Sequence, residues 1–129
     1  MIGIVIVAHG GLAAEYLAAV EHVVGKQDGM IAVTITADHD RETKQAEICA
    51  AVDSVDTGAG VAVVTDMFGG SPSNLSLKAC NECGRRVLYG ANLPLLVKLA
   101  KSRHKPIDAA VDAAIRDGRK YLDCLPALA

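Results

Sequence analysis

Two segments of this sequence carry residues that could act together in chemistry. His9 ends one apolar run and is followed by two glycines, and Asp66 ends another and is followed shortly by Gly-Gly-Ser. A carboxylate bound to one imidazole nitrogen fixes the tautomer and leaves the other nitrogen free as a nucleophile. Backbone N–H groups of glycine-rich turns and a serine hydroxyl can hold an anion. The pattern predicts that His9 is a phosphohistidine site, with the phosphoryl group bound by Gly10, Gly69, Gly70 and Ser71.

Each segment has a simpler interpretation when it is taken alone. His9 could be a polar residue that closes a strand, and Gly-Gly-Ser-Pro could be a tight turn with a helix cap. The prediction of a site therefore rests on the pair. Two predicted strand ends, each followed by glycines, carry an imidazole and a carboxylate, which are complementary groups.

The hydrophobic pattern predicts strands that alternate with helices. The β-type runs are Ile2–Ala8, Met30–Thr36, Val61–Asp66 and a weaker one at Arg86–Tyr89. Helical segments are predicted at about 12–24, at Arg41–Val52 with Asp40 as N-cap, after a cap at Ser71, from an Asn92 cap to about Ser102, and around Ile107–Ile115. The tail 121–129 is not assigned to an element.

Alternating strands and helices predict an α/β fold with a doubly wound, mostly parallel sheet and helices on both faces. Ligands of such sheets bind outside the carboxyl ends of the strands, at the point where the strand order reverses. The loops after the first and third strands can be neighbours there. We therefore expect His9, Asp66 and Ser71 to come together.

Length and composition limit the class of protein. The chain has 129 residues, 51% hydrophobic and 22% charged, which fits one domain over residues 1–129. A net charge of −2 gives no general attraction to nucleic acid or anionic membranes. The opening apolar run is too short for a spanning helix and lacks the features of a signal peptide, so we expect a cytoplasmic protein with no membrane insertion and reduced cysteines.

Three motifs resemble the mannose-family IIA component of the bacterial sugar phosphotransferase system (PTS). They are Val7-Ala8-His9-Gly10, Asp66-Met67-Phe68-Gly69-Gly70-Ser71-Pro72-Ser73-Asn74 and Gly90-Ala91-Asn92-Leu93-Pro94-Leu95-Leu96. They occur in the family's order and cover the chain up to about Gly118. The resemblance predicts an EIIA domain of this type.

The resemblance implies a phosphotransferase that works as a phosphohistidine carrier. His9 would accept a phosphoryl group from HPr and pass it to a IIB component on another polypeptide, with Asp66 bonded to its imidazole. It also implies a homodimer formed by exchange of an edge strand near the C-terminus. Met67, Phe68, Leu93 and Pro94 could form an exposed apolar rim that contacts the partner proteins. No cofactor is expected, and the sequence has no P-loop.

Three alternatives remain at this point. A regulatory module could signal through phosphorylation of His9 without serving transport. The phosphocarrier subunit of a dihydroxyacetone kinase has a similar fold, although Gly-Gly-Ser-Pro favours the sugar-system branch. A hydrolase using Ser71 is disfavoured because the segment is not a Gly-x-Ser-x-Gly nucleophile elbow.

Other clusters have structural interpretations. Cys80 and Cys83 have C-x-x-C spacing, but they fall late in a predicted helix, which disfavours a redox or zinc site. Asp38-His39-Asp40 is interpreted as a solvated loop with a helix cap, and no metal site is predicted. His22 lies off the apolar face of its helix. His104 belongs to a basic stretch, 101–105, typical of a helix end that favours cations.

Overall fold

Strands alternate with helices in the computed structural model, which describes residues 1–67, 70–81 and 84–127. The strands are β1 (Gly3–His9), β2 (Met30–Ile35), β3 (Val61–Thr65) and β4 (Arg85–Leu88). The helices are α1 (Leu12–Val24), α2 (Arg41–Val55), α3 (Ser71–Ser76), α4 (Leu93–Lys101) and α5 (Ile107–Lys120).

The strands form one parallel sheet in the order β2-β1-β3-β4. The strand order reverses beside β1, so β2 and β3 lie on its two sides and all three end at the same edge of the sheet. The predicted α/β fold with a parallel, doubly wound sheet is confirmed. This topology creates the crevice in which open α/β sheets bind ligands.

Side chains of β1 alternate between two buried clusters, one on each face of the sheet. Ile4 and Ile6 pack with residues of α1, α4 and α5, whereas Val5 and Val7 pack with residues of α2 and α3. All four side chains are completely buried. A central strand buried on both faces gives the carboxyl end of β1 a rigid support.

Two polar side chains fix the starts of long helices. The Asp40 carboxylate accepts a hydrogen bond from the Thr43 backbone N–H at 2.9 Å, which confirms the predicted cap of α2. Asn92 caps α4 in the same way, accepting from the Leu95 N–H at 2.9 Å, and its amide donates to the Gly118 carbonyl at 3.0 Å. Asn92 therefore also connects α4 to α5.

The predicted elements exist, but some of their ends differ. Gly70, with an extended backbone, is the N-cap of α3 in place of Ser71, because Ser71 is already helical. The prediction that Cys80 lies late in this helix is wrong: α3 ends at Ser76, and the Cys80 N–H is shared between the carbonyls of Ser76 and Leu77 in a turn. Cys83 lies outside the described residues.

The other differences are shifts of strand or helix ends. β3 ends at Thr65, which places Asp66 just beyond the strand, and β4 begins one residue earlier than predicted. Helix α5 continues to Lys120, and residues 122–127 after it contain no helix or strand.

Arg103 has a different role from the one predicted for the basic stretch 101–105. Its side chain is buried, and the guanidinium donates to the carbonyls of Ile2 at 2.8 Å and Gly29 at 3.1 Å and to the side chain of Gln27 at 3.2 Å. The reason is that the chain turns beneath the amino ends of β1 and β2 after α4. Arg103 therefore gives the Ile2 carbonyl a donor and adds a second donor to the Gly29 carbonyl, which also accepts the Ile4 N–H.

Candidate functional site

His9 and Asp66 lie side by side at the carboxyl edge of the sheet. His9 is the last residue of β1, and Asp66 follows the last residue of β3. The two strands are parallel neighbours, with Val7 paired with Thr65. The expectation that the loops after the first and third strands meet is confirmed.

One carboxylate oxygen of Asp66 accepts two hydrogen bonds from His9. The backbone N–H of His9 donates to Oδ2 at 3.0 Å, and Nδ1 of its ring lies 2.7 Å from the same atom. The other oxygen, Oδ1, accepts from the Met67 N–H at 3.0 Å. Both oxygens of the carboxylate therefore accept hydrogen bonds, and Oδ2 fixes the position of the imidazole.

The environment of Asp66 favours its ionised form. Partial burial opposes ionisation, but hydrogen bonds from the backbone and side chain of His9 outweigh it, so the pKa of Asp66 lies below its usual value. An ionised carboxylate only accepts hydrogen bonds, so Nδ1 of His9 must carry the proton in the shared contact. In the neutral ring, Nε2 then has the free lone pair.

The His9 side chain is half exposed, at 47%, whereas that of Asp66 is only 12% exposed. A partly buried carboxylate therefore orients an accessible imidazole. Gly70 lies against the ring, because a β-carbon there would stand 3.2 Å from Cε1 of His9. Gly10 has a φ of 56°, a conformation that favours glycine, so the chain turns sharply after His9.

His9 opens onto a shallow pocket of about 490 Å³. Gly10 and Ser71 line it, together with residues of the segment that follows β2. His9 and two of the predicted phosphate-binding residues therefore share one concave surface, and Asp66 contacts the His9 ring from outside the lining. Gly69 lies outside the described residues.

The residues predicted to form the apolar rim differ in their exposure. Met67 is 57% exposed and lies directly after Asp66. Leu93 and Pro94 are half-buried at the start of α4, where Leu93 packs against the core. They line a separate depression with Val23 and Val97. Phe68 lies outside the described residues.

The structure adds His39 to the candidate site, although the sequence predicts only a solvated loop there. His39 lines the same pocket as His9. The position of His39 in the sequence could have indicated this. His39 follows β2, and the carboxyl end of β2 must lie beside that of β1 if the sheet is parallel. The acidic neighbours and the Asp40 cap favoured the loop interpretation.

Among residues 1–67, 70–81 and 84–127, no group of three or more His, Cys, Asp or Glu side chains could hold a metal ion. Over that same part of the chain, none of the helices combines the length and the apolar character needed to span a bilayer.

Fold and site together define an α/β domain that presents a carboxylate-oriented histidine at the switch point of a parallel sheet. The family model described as the PTS system fructose IIA component (EIIA-man) matches residues 3–115. The chain belongs to this family, and it is a IIA component of the mannose type.

Individual relatives agree with this assignment. The mannose-specific EIIAB component of the PTS from Escherichia coli strain K12 is 30% identical over 129 residues, which are 98% of this chain and 40% of the relative. The chain thus spans less than half the length of that relative. The mannose/sorbose-specific IIA subunit from Enterococcus faecalis has a TM-score of 0.84 at 26% identity, with 99% of this chain and 98% of that chain covered. EIIA from Streptococcus agalactiae gives 0.80 at 26% identity, with 96% and 97% covered.

Proposed function

We propose that this chain is a phosphocarrier in which His9 accepts a phosphoryl group from phospho-HPr and passes it to a IIB component. The observation that carries the proposal is the 2.7 Å contact between Nδ1 of His9 and Asp66, which leaves Nε2 as the nucleophile at an accessible ring. Membership of the PTS IIA family supports it.

The proposed transfer exchanges one N–P bond for another. The lone pair on Nε2 of His9 attacks the phosphorus of the donor phosphohistidine, and the donor N–P bond breaks with its electron pair returning to the donor imidazole. The proton on Nδ1 stays in place, and the Asp66 carboxylate stabilises the positive charge that develops on the ring. In the second transfer the His9 N–P bond breaks, its electron pair returns to the His9 ring, and the phosphoryl group passes to a nucleophile of the IIB component.

Four residues are proposed to hold the transferred group. Gly10, Gly69 and Gly70 would contribute through backbone N–H groups and close approach, and Ser71 through its hydroxyl. Gly10 and Ser71 already line the pocket beside His9. Positioning and charge stabilisation dominate phosphoryl transfer, so small displacements of this set should slow it.

We propose that HPr and IIB dock around the exposed His9 ring. Met67 is apolar and exposed, and it directly follows Asp66 in the described part of the chain. Phe68, Leu93 and Pro94 remain proposed members of the same rim. We place the exchange in the cytoplasm, where phosphoenolpyruvate supplies the phosphoryl group.

We also propose a homodimer built on the β4 edge of the sheet. Within the described residues, β4 pairs with β3 alone. Leu122 and Leu125, in the segment after α5, are 83% and 89% exposed, and a cavity of about 460 Å³ lies between β4, α5 and Leu122. Exposed leucines beside the outer edge of a sheet are typical of a surface that a second chain covers.

The test is phosphorylation of the purified protein by phosphoenolpyruvate, enzyme I and HPr, followed by intact-mass analysis. Wild type should gain one acid-labile, base-stable phosphoryl group, and His9→Ala should gain none. His22→Ala is the matched control, because His22 is exposed on α1 away from the pocket. Labelling of His9→Ala at the wild-type rate, or no labelling of wild type beside an active HPr, would overturn the proposal.

A further inference from the structure

The segment after β2 forms the side of the His9 pocket opposite Asp66. In the β1–β2 ladder His9 pairs with Ile35, the last residue of β2, and the Gly10 N–H donates to the Ile35 carbonyl at 2.8 Å. Since β1 lies between β2 and β3, Asp66 flanks His9 from one neighbouring strand and residues 36–39 flank it from the other. His39 reaches the pocket from this second side.

The His39 ring is oriented in the same way as the His9 ring. Its Nδ1 lies 2.7 Å from the backbone carbonyl of Thr36, and its backbone N–H also lies within 3.4 Å of that oxygen. A carbonyl only accepts hydrogen bonds, so Nδ1 of His39 is the protonated nitrogen and Nε2 is left for another partner. Both histidines that line the pocket therefore have Nδ1–H bound to an oxygen.

The two rings differ in the charge beside them. His9 has an ionised carboxylate on Nδ1, whereas His39 has a neutral carbonyl there and lies between Asp38 and Asp40. Hydrogen bonds from Thr43 keep the pKa of Asp40 below its usual value, so this neighbour is an anion. Because Nδ1 already carries a proton, donation from Nε2 of His39 requires a second proton on the ring.

A phosphoryl group on His9 would bring two negative charges into this pocket. His9 and His39 are the titratable side chains among the described residues that line it, and Asp66, which bonds to His9, is not part of that lining. Without His39, the phosphoryl oxygens would be bound by neutral donors. A protonated imidazole provides a charge-assisted hydrogen bond, which is stronger than a neutral one.

We propose that His39 is a positioning residue for phosphorylated His9 and donates a hydrogen bond from Nε2 to a phosphoryl oxygen. The inference rests on the proposed function, because it requires that His9 carry the phosphoryl group. No bond to phosphorus forms or breaks at His39. Its effect is to stabilise the phosphorylated state and to fix the rotation of the phosphoryl group for the next transfer.

Two substitutions distinguish the proposed contact with the phosphoryl group from the contact that His39 makes with Thr36 in its own turn. His39→Asn can keep a donor to the Thr36 carbonyl but is too short to reach a phosphoryl oxygen. His39→Gln places an amide N–H near the position of Nε2. The equilibrium constant for phosphoryl exchange with HPr should fall roughly 5-fold in His39→Asn and recover in His39→Gln. His22→Asn should match wild type.

The second measurement does not depend on HPr. His9 is phosphorylated chemically with phosphoramidate, and ¹⁵N NMR of the histidine rings is compared before and after. We expect the Nε2 signal of His39 to move towards that of a protonated nitrogen, while the signal of His22 stays unchanged. A structural role alone would not produce this response.

The outcomes distinguish the two proposals. A phosphorylated His9 with no change at His39, or an exchange equilibrium in His39→Asn equal to that of wild type, overturns the role of His39 and leaves the phosphocarrier intact. A weaker equilibrium in His39→Asn without the NMR response also overturns it. If phosphoramidate labels His9 but HPr does not, the proposed donor is wrong, and the NMR comparison still decides the role of His39. If neither donor labels His9, both proposals fail.

Discussion

Asp66 binds the main chain and the ring of His9 through one oxygen atom. Oδ2 lies 3.0 Å from the His9 backbone nitrogen and 2.7 Å from Nδ1. The same contact that connects the ends of β1 and β3 therefore orients the imidazole. Changes at Asp66 should affect both the stability of this sheet edge and the reactivity of Nε2.

Asp66→Ala should slow phosphoryl acceptance by His9 on the order of 10²-fold, because the ring loses its orientation and the anion that stabilises its developing charge. Rapid-quench measurement of phosphoryl transfer from HPr gives the rate. Asp53→Ala, at an exposed carboxylate that pairs with Arg85 far from the pocket, is the control. A wild-type rate in Asp66→Ala would exclude the proposed role.

The stability contributed by Asp66 should depend on pH. The pKa of Asp66 is lowered in the folded state, so its ionised form stabilises the fold fully above the unfolded-state pKa of about 3.9. That contribution is lost as the pH falls through the lower folded-state pKa. Urea unfolding should show wild type more stable than Asp66→Asn at pH 6, and the difference should shrink in strong acid. A constant difference would contradict the assigned ionisation.

Gly70→Ala should slow the transfer about 10-fold with little loss of stability. The new β-carbon would stand 3.2 Å from Cε1 of His9, so the ring must shift by a few tenths of an ångström against its bond to Asp66. Gly11→Ala is the matched control, because a β-carbon there meets no atom within 4 Å. Equal rates in the two variants would show that the contact with the ring does not matter.

Arg103→Met should lower the free energy of unfolding by about 2 kcal/mol, because the carbonyl of buried Ile2 loses its donor and that of Gly29 keeps only the Ile4 N–H. Urea denaturation measures the loss. Lys101→Met, at an exposed position two residues earlier, should change stability by less than about 0.5 kcal/mol. Similar losses in the two variants would mean that the buried guanidinium has no special role.

Cys80 should react slowly with alkylating reagents. Burial raises the pKa of its thiol to about 11, so little thiolate is present near neutral pH. Cys124 is exposed and should react first. Cys80 and Cys83 fall in one tryptic peptide, so the comparison is made in Cys83→Ser with iodoacetamide and mass spectrometry. Faster labelling of Cys80 than of Cys124 would contradict the prediction.

The sequence predicts the parts of this protein in which local pattern and sheet topology agree. The β1 and β3 runs are strongly apolar, and parallel connection rules bring their ends together, so the proximity of His9 and Asp66 follows from them. The Asp40 and Asn92 helix caps are also predictable from the sequence, because each side chain binds a backbone N–H group only three residues away.

Contacts between distant parts of the chain were not predictable in this way. The acidic neighbours of His39 predict a solvated loop, although its environment is set by the pairing of β2 with β1. The helix before Arg103 predicts an exposed cation, although the partners of Arg103 lie more than 70 residues earlier. Helix α3 is shorter than expected because the turn after it competes for the same backbone carbonyls.

The contact between Ile2 and Arg103 also constrains how the protein folds as it is synthesised. The Ile2 N–H donates to the Arg103 carbonyl at 2.9 Å, and the Arg103 side chain returns a bond to the Ile2 carbonyl across a separation of 101 residues. The Ile2 carbonyl, at the amino end of the central strand, can therefore accept this hydrogen bond only after Arg103 has left the ribosome. Such nonlocal closure slows folding, because the long loop between the two residues loses entropy before their contact can form.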